Sequence, residues 1–200
     1  MDFFKKKTNI DFMGKRKPIL AISTLAVLVS LIPLVRPLRG RDYWIFAQAY
    51  ERQGSMRAAV AAYEAAVREE ADDGSLLNNL GVAYRAVGDN ERAAHAFRSA
   101  VRADPRLALP HKNLGMVLIS QGDLNGGLAQ LMAALQLNPN DAQALGAIGG
   151  ILAEQGDRAG AKAAFSKARA LAPTDTRLSQ LIEYYEHREN RAGGRTDARE

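Results

Sequence analysis

Two hundred residues with 47% hydrophobic content supply enough apolar mass for a buried core, which sets intrinsic disorder aside. Cysteine is absent, so disulfides, thiolate metal sites, a cysteine nucleophile and a lipidated N-terminal cysteine are excluded. The net charge of +5 is unevenly placed: residues 1–40 hold eight Lys/Arg against two Asp, and residues 41–200 hold nineteen against twenty Asp/Glu, which leaves no basic folded face for nucleic acid.

The first segment, residues 1–17, reads as a basic cytoplasmic stretch. Its Phe3, Phe4, Phe12 and Met13 lie among lysines, a composition suited to an anionic membrane surface. Residues 18–38 follow as an expected transmembrane helix. Ile19 to Val35 is seventeen residues without a charge, eleven of them Leu, Ile or Val, and spans roughly 26 Å at 1.5 Å per residue. Six Lys/Arg precede this run, from Lys5 to Lys17, and Arg36, Arg39 and Arg41 follow it. That bias keeps the N-terminus in the cytoplasm and sends the remainder across a cell inner membrane, to the periplasmic side. The alternative is a cleaved signal peptide releasing a soluble peptide receptor. The apolar run ends in Leu-Val-Arg-Pro-Leu-Arg-Gly rather than in small residues, which speaks against cleavage.

From residue 40 onwards one pattern recurs every 34 residues. Gly54, Gly88, Gly122 and Gly156 keep the interval, as do Ala47, Gly81, Gly115 and Gly149, and Ala66, Ala100, Ala134 and Ala168. Pro105, Pro139 and Pro173 close the last three units. Each unit holds two apolar stripes at helical spacing, such as Leu77, Leu80 and Tyr84 followed by Ala93, Phe97 and Ala100. Gly88 followed by Asp89 is a stop and a start: the glycine takes the left-handed turn and the aspartate caps the next helix. Gly54–Ser55 is the milder form. Gly81 and Ala93, or Gly115 and Gly127, are small because two helices cross there. Asp104 before Pro105 is steered out of the helical region and ends the second helix.

These residues, without insertion or deletion across 40–175, closely resemble the tetratricopeptide repeat (TPR) family. The expected fold is all-α: a right-handed TPR superhelix of four helix-turn-helix repeats (40–73, 74–107, 108–141 and 142–175) with a C-terminal capping helix, preceded by the single transmembrane helix. The capping helix is placed at 176–189 because Leu178, Leu181, Ile182 and Tyr185 form one stripe, and a repeat array needs its open end covered. Residues 190–200, Gly-rich and charged, read as a disordered tail. Five residues, Arg36 to Gly40, reach at most roughly 17 Å, so the repeats are expected close to the membrane surface.

No residue set calls for catalysis, a cofactor or a metal. His95, His111 and His187 fall on different helices, and His111 stands where other repeats carry Leu or an aromatic, a packing position. Glu69, Glu70, Asp72 and Asp73 read as a solvated helix boundary. Gly146 to Gly150 resembles a phosphate loop only loosely, follows no strand and lacks the Lys-Ser/Thr.

The resemblance implies a concave channel lined by the first helix of each repeat, which takes a protein partner. Its candidate lining is Trp44 and Gln48; Asn78, Asn79, Val82 and Arg85; Lys112, Asn113, Met116 and Ile119; and Gly146 and Gly150. Asn79 and Asn113, equivalent in successive repeats, suit an extended backbone. Val82, Met116 and Ile119 would give an apolar floor, and Gly146 and Gly150 would leave the far end open to a partner's backbone. Trp44 suits either the channel or the membrane interface. A C-terminal-carboxylate grip is not expected, because Leu109, Gln143 and Ala147 stand where basic residues would be needed. The expected role is a membrane-anchored scaffold for a membrane or membrane-associated complex, with the bilayer as second partner and neither nucleic acid nor a small-molecule substrate.

Overall fold

The computed structural model describes residues 38–193. The expected span of 18–38 (apart from its last residue), the basic segment 1–17 and the tail from residue 194 lie outside the described residues. Nine helices are described: α1 Gly40–Arg52, α2 Met56–Glu69, α3 Gly74–Ala86, α4 Asn90–Ala103, α5 Ala108–Ser120, α6 Leu124–Leu137, α7 Ala142–Glu154, α8 Arg158–Leu171 and α9 Thr176–Gly193. No strand occurs among the described residues. None of these helices is long and apolar enough to cross a membrane.

Helix boundaries follow from local chemistry. Gly54, Gly88, Gly122 and Gly156 have φ of 73°, 86°, 86° and 84°, a region open to glycine and strained for side-chain-bearing residues. Each reverses the chain after a first helix. The next residue then starts the second helix: Asp89, Asp123 and Asp157 accept from the N–H of Arg92, Gly126 and Gly160. Ser55 makes no such side-chain bond. Asp104 is extended, with φ −142° and ψ 96°, where Pro105 requires it.

A second capping series begins with Asp73, a member of the cluster expected to be a solvated boundary. Asp73 accepts from Ser75 and Leu76 N–H, Asp141 from Ala144, and Asp175 from Arg177 and Leu178. These aspartates start α3, α7 and α9. Leu107, at the equivalent place before α5, has no capping side-chain bond. Asp175 therefore starts α9 as the other aspartates start first helices. The helix runs to Gly193, four residues beyond its expected end.

Packing is strictly local. Each second helix lies against its own first helix and then against the first helix of the next unit, so the core passes along the array through neighbours alone. The repeated knob is Tyr63, Phe97, Leu131 and Phe165, at most 5% exposed. A Cβ on Gly81 would come within 2.5 Å of the Phe97 ring, and one on Gly149 equally close to Phe165. In the third unit a Cβ on Gly115 would meet Leu131 and the carbonyl of Gly127 at 2.9 and 3.0 Å. Close crossing thus accounts for these small residues.

On the face formed by α2, α3 and α4 the Tyr84 hydroxyl donates to Glu64 Oε1 at 2.7 Å. The Arg92 guanidinium stacks 4.6 Å from the centre of the Tyr84 ring and bonds Asp89 at 2.6 Å. Burial, then Glu64, pushes the Tyr84 phenol from 10.0 up to about 12. A value raised in the folded state stabilises fully below the unfolded value and is lost as pH rises through the folded one. Fold stability should therefore decline between about pH 10 and about 12, and Tyr84→Phe should make that limb of a urea-midpoint titration shallower, the rest belonging to Tyr63, which burial and then Glu51 also hold up. An unchanged limb in the variant would remove Tyr84 as its source.

Candidate functional site

A concavity of about 370 Å³ crosses α3, α5, α7 and α9. Arg85, Lys112, Asn113 and Met116 of the expected channel meet there. Leu109, Gln143 and Ala147 complete the wall from α5 and α7. The last side is α9, through Asp175, Arg177, Leu178 and Leu181.

The wall is apolar but not dry. Leu109 is 56% exposed, Met116 40% and Leu181 37%, an unusual concentration of open apolar side chains. Lys112 Nζ lies 2.7 Å from Asp141 Oδ2, with side-chain exposures of 16% and 11%. Asp141 uses its other oxygen to cap α7. Asn113 donates to Asn78 Oδ1 at 2.9 Å, and its own amide oxygen takes no donor among the described residues. Removing Asp141 should cost about 2 kcal/mol, a cap plus the partner of a half-buried ammonium, against about 1 kcal/mol for Asp157→Ala, which removes a cap alone. Urea midpoints compare the two; equal losses would mean that the Lys112 contact contributes nothing.

Several expected positions fall elsewhere. Asn78 is buried, 7% exposed, and serves Asn113 rather than a partner. Trp44 and Asn79 line a separate cavity of about 270 Å³ with Arg41, Glu70, Asp73, Ser75 and Leu76, so Asn79 and Asn113 do not face one space. Val82 packs against the core that runs from the first unit to Leu114 and Val117 of the third. Ile119 packs with Leu131 and Ile148, and its Cγ1 lies 2.6 Å from the place a Cβ on Gly127 would take, so it is not a channel floor. Gln48 is half-buried on α1 and lines neither cavity.

Gly146 and Gly150 require a correction. Both are buried, and a Cβ on Gly146 would collide with Leu178, one on Gly150 with the Tyr185 ring at 3.1 Å. What approaches them is the chain's own α9, through the side chains of Leu178 and Tyr185. Their smallness lets α9 lie against α7 at the far end of the channel. Sequence reasoning identified α9 as a cap but missed its place in the channel wall. The signal was present in Asp175, one repeat length beyond Asp141.

His111, 9% exposed, has its ring nitrogens 2.9 Å from Gln130 Oε1 and 3.2 Å from the Pro105 carbonyl, a bonded packing position. Among the described residues no group of three His, Asp or Glu side chains could hold one metal ion. The arrangement offers apolar contact, amide hydrogen bonding and charge.

Family models described as tetratricopeptide repeat match residues 46–108 and 118–183. Among solved structures, MamA 41-end from Desulfovibrio magneticus RS-1 is similar with a TM-score of 0.68 at 24% identity, over 76% of this chain and 85% of that one. YrrB, described as a TPR protein with an unusual peptide-binding site, gives 0.62 at 25% identity over 74% of this chain and 77% of its own. PilF of Pseudomonas aeruginosa gives 0.66 at 19% identity over 76% and 69%. No curated protein sequence matches the chain significantly.

Proposed function

This chain is a tetratricopeptide-repeat protein over residues 46–108 and 118–183, and we propose that it is a membrane-anchored scaffold that holds a protein partner in the channel of α3, α5, α7 and α9. The observation that carries this reading is the open apolar set Leu109, Met116 and Leu181 inside one concavity that also offers Arg85 and Asn113. Such a surface fits a polypeptide segment laid across successive helices. The peptide-binding site described for YrrB lends the reading support on a related fold. Binding, rather than catalysis, is the activity.

The anchor is residues 18–38, argued from the uncharged run Ile19 to Val35 and the excess of Lys/Arg before it. It would hold the repeats beside the bilayer, where a membrane complex is assembled or stabilised. Two measurements test the proposal. Intact-mass and N-terminal analysis of the membrane fraction should find the uncleaved chain; a mature N-terminus near residue 40 would favour the soluble receptor instead. A photo-crosslinking residue at Leu109 should capture one discrete partner, and Met116→Glu should reduce capture by roughly tenfold with unchanged helicity. Undiminished capture in that variant would place the partner on another face.

A further inference from the structure

We infer that the channel is built for an acidic, apolar polypeptide segment, one that sets an apolar side chain between carboxylates; this rests on the channel reading above and names its partner's chemistry. The argument begins with charge. Arg85 on α3 and Arg177 on α9 both line the concavity, and among the described residues neither guanidinium engages a carboxylate. Three arginines elsewhere are engaged instead: Arg92 bonds Asp89, Arg169 bonds Glu186, and Arg188 bonds Glu154. Lys112, the third cation of the wall, is already held by Asp141. Asp175 is the one carboxylate lining the space, and its Oδ1 is committed to the N–H groups of Arg177 and Leu178.

This positive character is local. Residues 41–200 carry nineteen Lys/Arg against twenty Asp/Glu, whereas the wall of this concavity carries Arg85, Lys112 and Arg177 against Asp175. A guanidinium is a planar fork that grips carboxylate with two parallel bonds. The two forks stand on helices separated by α5 and α7, each inter-helix step being roughly 8–10 Å. Several residues of extended chain at ~3.3 Å each can meet both forks along the one wall. Leu109 and Met116 on α5, with Leu181 on α9 beside Arg177, are at least 37% exposed and supply the apolar seat. The unused amide oxygen of Asn113 supplies an acceptor for a backbone N–H. The sequence of features across the wall is cation, apolar seat with amide, cation, and its complement is acid, apolar, acid.

The test uses the full chain and fluorescein-labelled peptides of about twelve residues, long enough to cross the wall at ~3.3 Å per residue. One peptide carries central leucines flanked by aspartates in a Gly/Ser background; its counterparts carry asparagine or lysine in place of the aspartates. Fluorescence anisotropy should show the aspartate peptide binding roughly tenfold more tightly than the asparagine peptide, and the lysine peptide weakest. That advantage should shrink as salt rises and vanish in the Arg85→Gln/Arg177→Gln double variant, whose substitutions lie on exposed side chains and should leave the circular dichroism unchanged. Equal binding of the aspartate and asparagine peptides, an advantage that survives the double variant, or no binding by any peptide would each overturn the inference. Met116→Glu separates the two levels. If it abolishes binding of equally bound peptides, the channel stands and only the acidic preference falls; if peptides bind regardless of Met116, the channel reading falls with it.

Discussion

Phe97→Ala should destabilise the fold by about 3–5 kcal/mol, the range for a large aromatic removed from a packed core. Phe97 is 0% exposed, and its ring fills the space that the missing Cβ of Gly81 leaves, at 2.5 Å from that position. The loss combines the transfer of the ring and a cavity at a helix crossing with little room to collapse. A second substitution turns this into a test of the crossing. Gly81→Ala alone gains up to about 1 kcal/mol of helix propensity but presses a methyl against the ring. In the Phe97→Ala background the ring is gone, so the same methyl occupies part of the void and should be stabilising. Equilibrium urea unfolding of the four proteins gives the coupling. Additive effects would show that Gly81 is small for a reason unrelated to Phe97.

Ile182→Asp should release α9 from the array. Ile182 is 0% exposed and Leu178 5%, and both pack with Leu145, Phe165 and Ala168. An ionised carboxylate cannot remain there without a partner. The cost need not reach the full desolvation penalty, because α9 can undock and return the charge to water. The docking free energy of α9 therefore sets the ceiling. Two buried aliphatic side chains contribute about 3–6 kcal/mol before the entropy of ordering the helix is subtracted. Amide exchange should show protection lost across Thr176–Gly193, reduced on α7 and α8, and retained on α1 to α4. Retained protection on α9 would mean that Ile182 does not carry the docking. Because α9 forms one wall of the channel, this variant should also weaken any ligand that depends on Leu181 or Arg177.

The repeat was legible in the sequence because its causes lie within one unit. Gly88 and its equivalents turn the chain, Asp89 and its equivalents start helices, and Gly81 admits Phe97; each is a requirement on a few neighbouring residues and so recurs with the repeat. The site was legible only in part. Arg85, Lys112, Asn113 and Met116 point into the channel because their helical phase dictates it. Ile119 has the same phase but follows the gap at Gly127, whose missing side chain draws it into the core. Asn78 is buried through a bond to a residue 35 positions away. Gly146 and Gly150 are settled by how α9 lies across α7, a matter of tertiary packing on which periodicity is silent.

The bond between Lys112 and Asp141 has a mechanical consequence. One carboxylate grips the start of α7 with one oxygen and an ammonium of α5 with the other, so it acts as a strut between two neighbouring turns of the array. The corresponding pairs one repeat away are Asn78 with Leu107 and Gly146 with Asp175, neither of which forms a salt bridge. Repeat arrays deform as springs, by small changes in the angle between adjacent units. With a brace here, and the Arg188–Glu154 pair between α9 and α7, bending is left chiefly to the junction of α3 with α5, where the Asn113–Asn78 hydrogen bond is the side-chain tie. The channel can then widen at its Arg85 end while its middle keeps a fixed gauge.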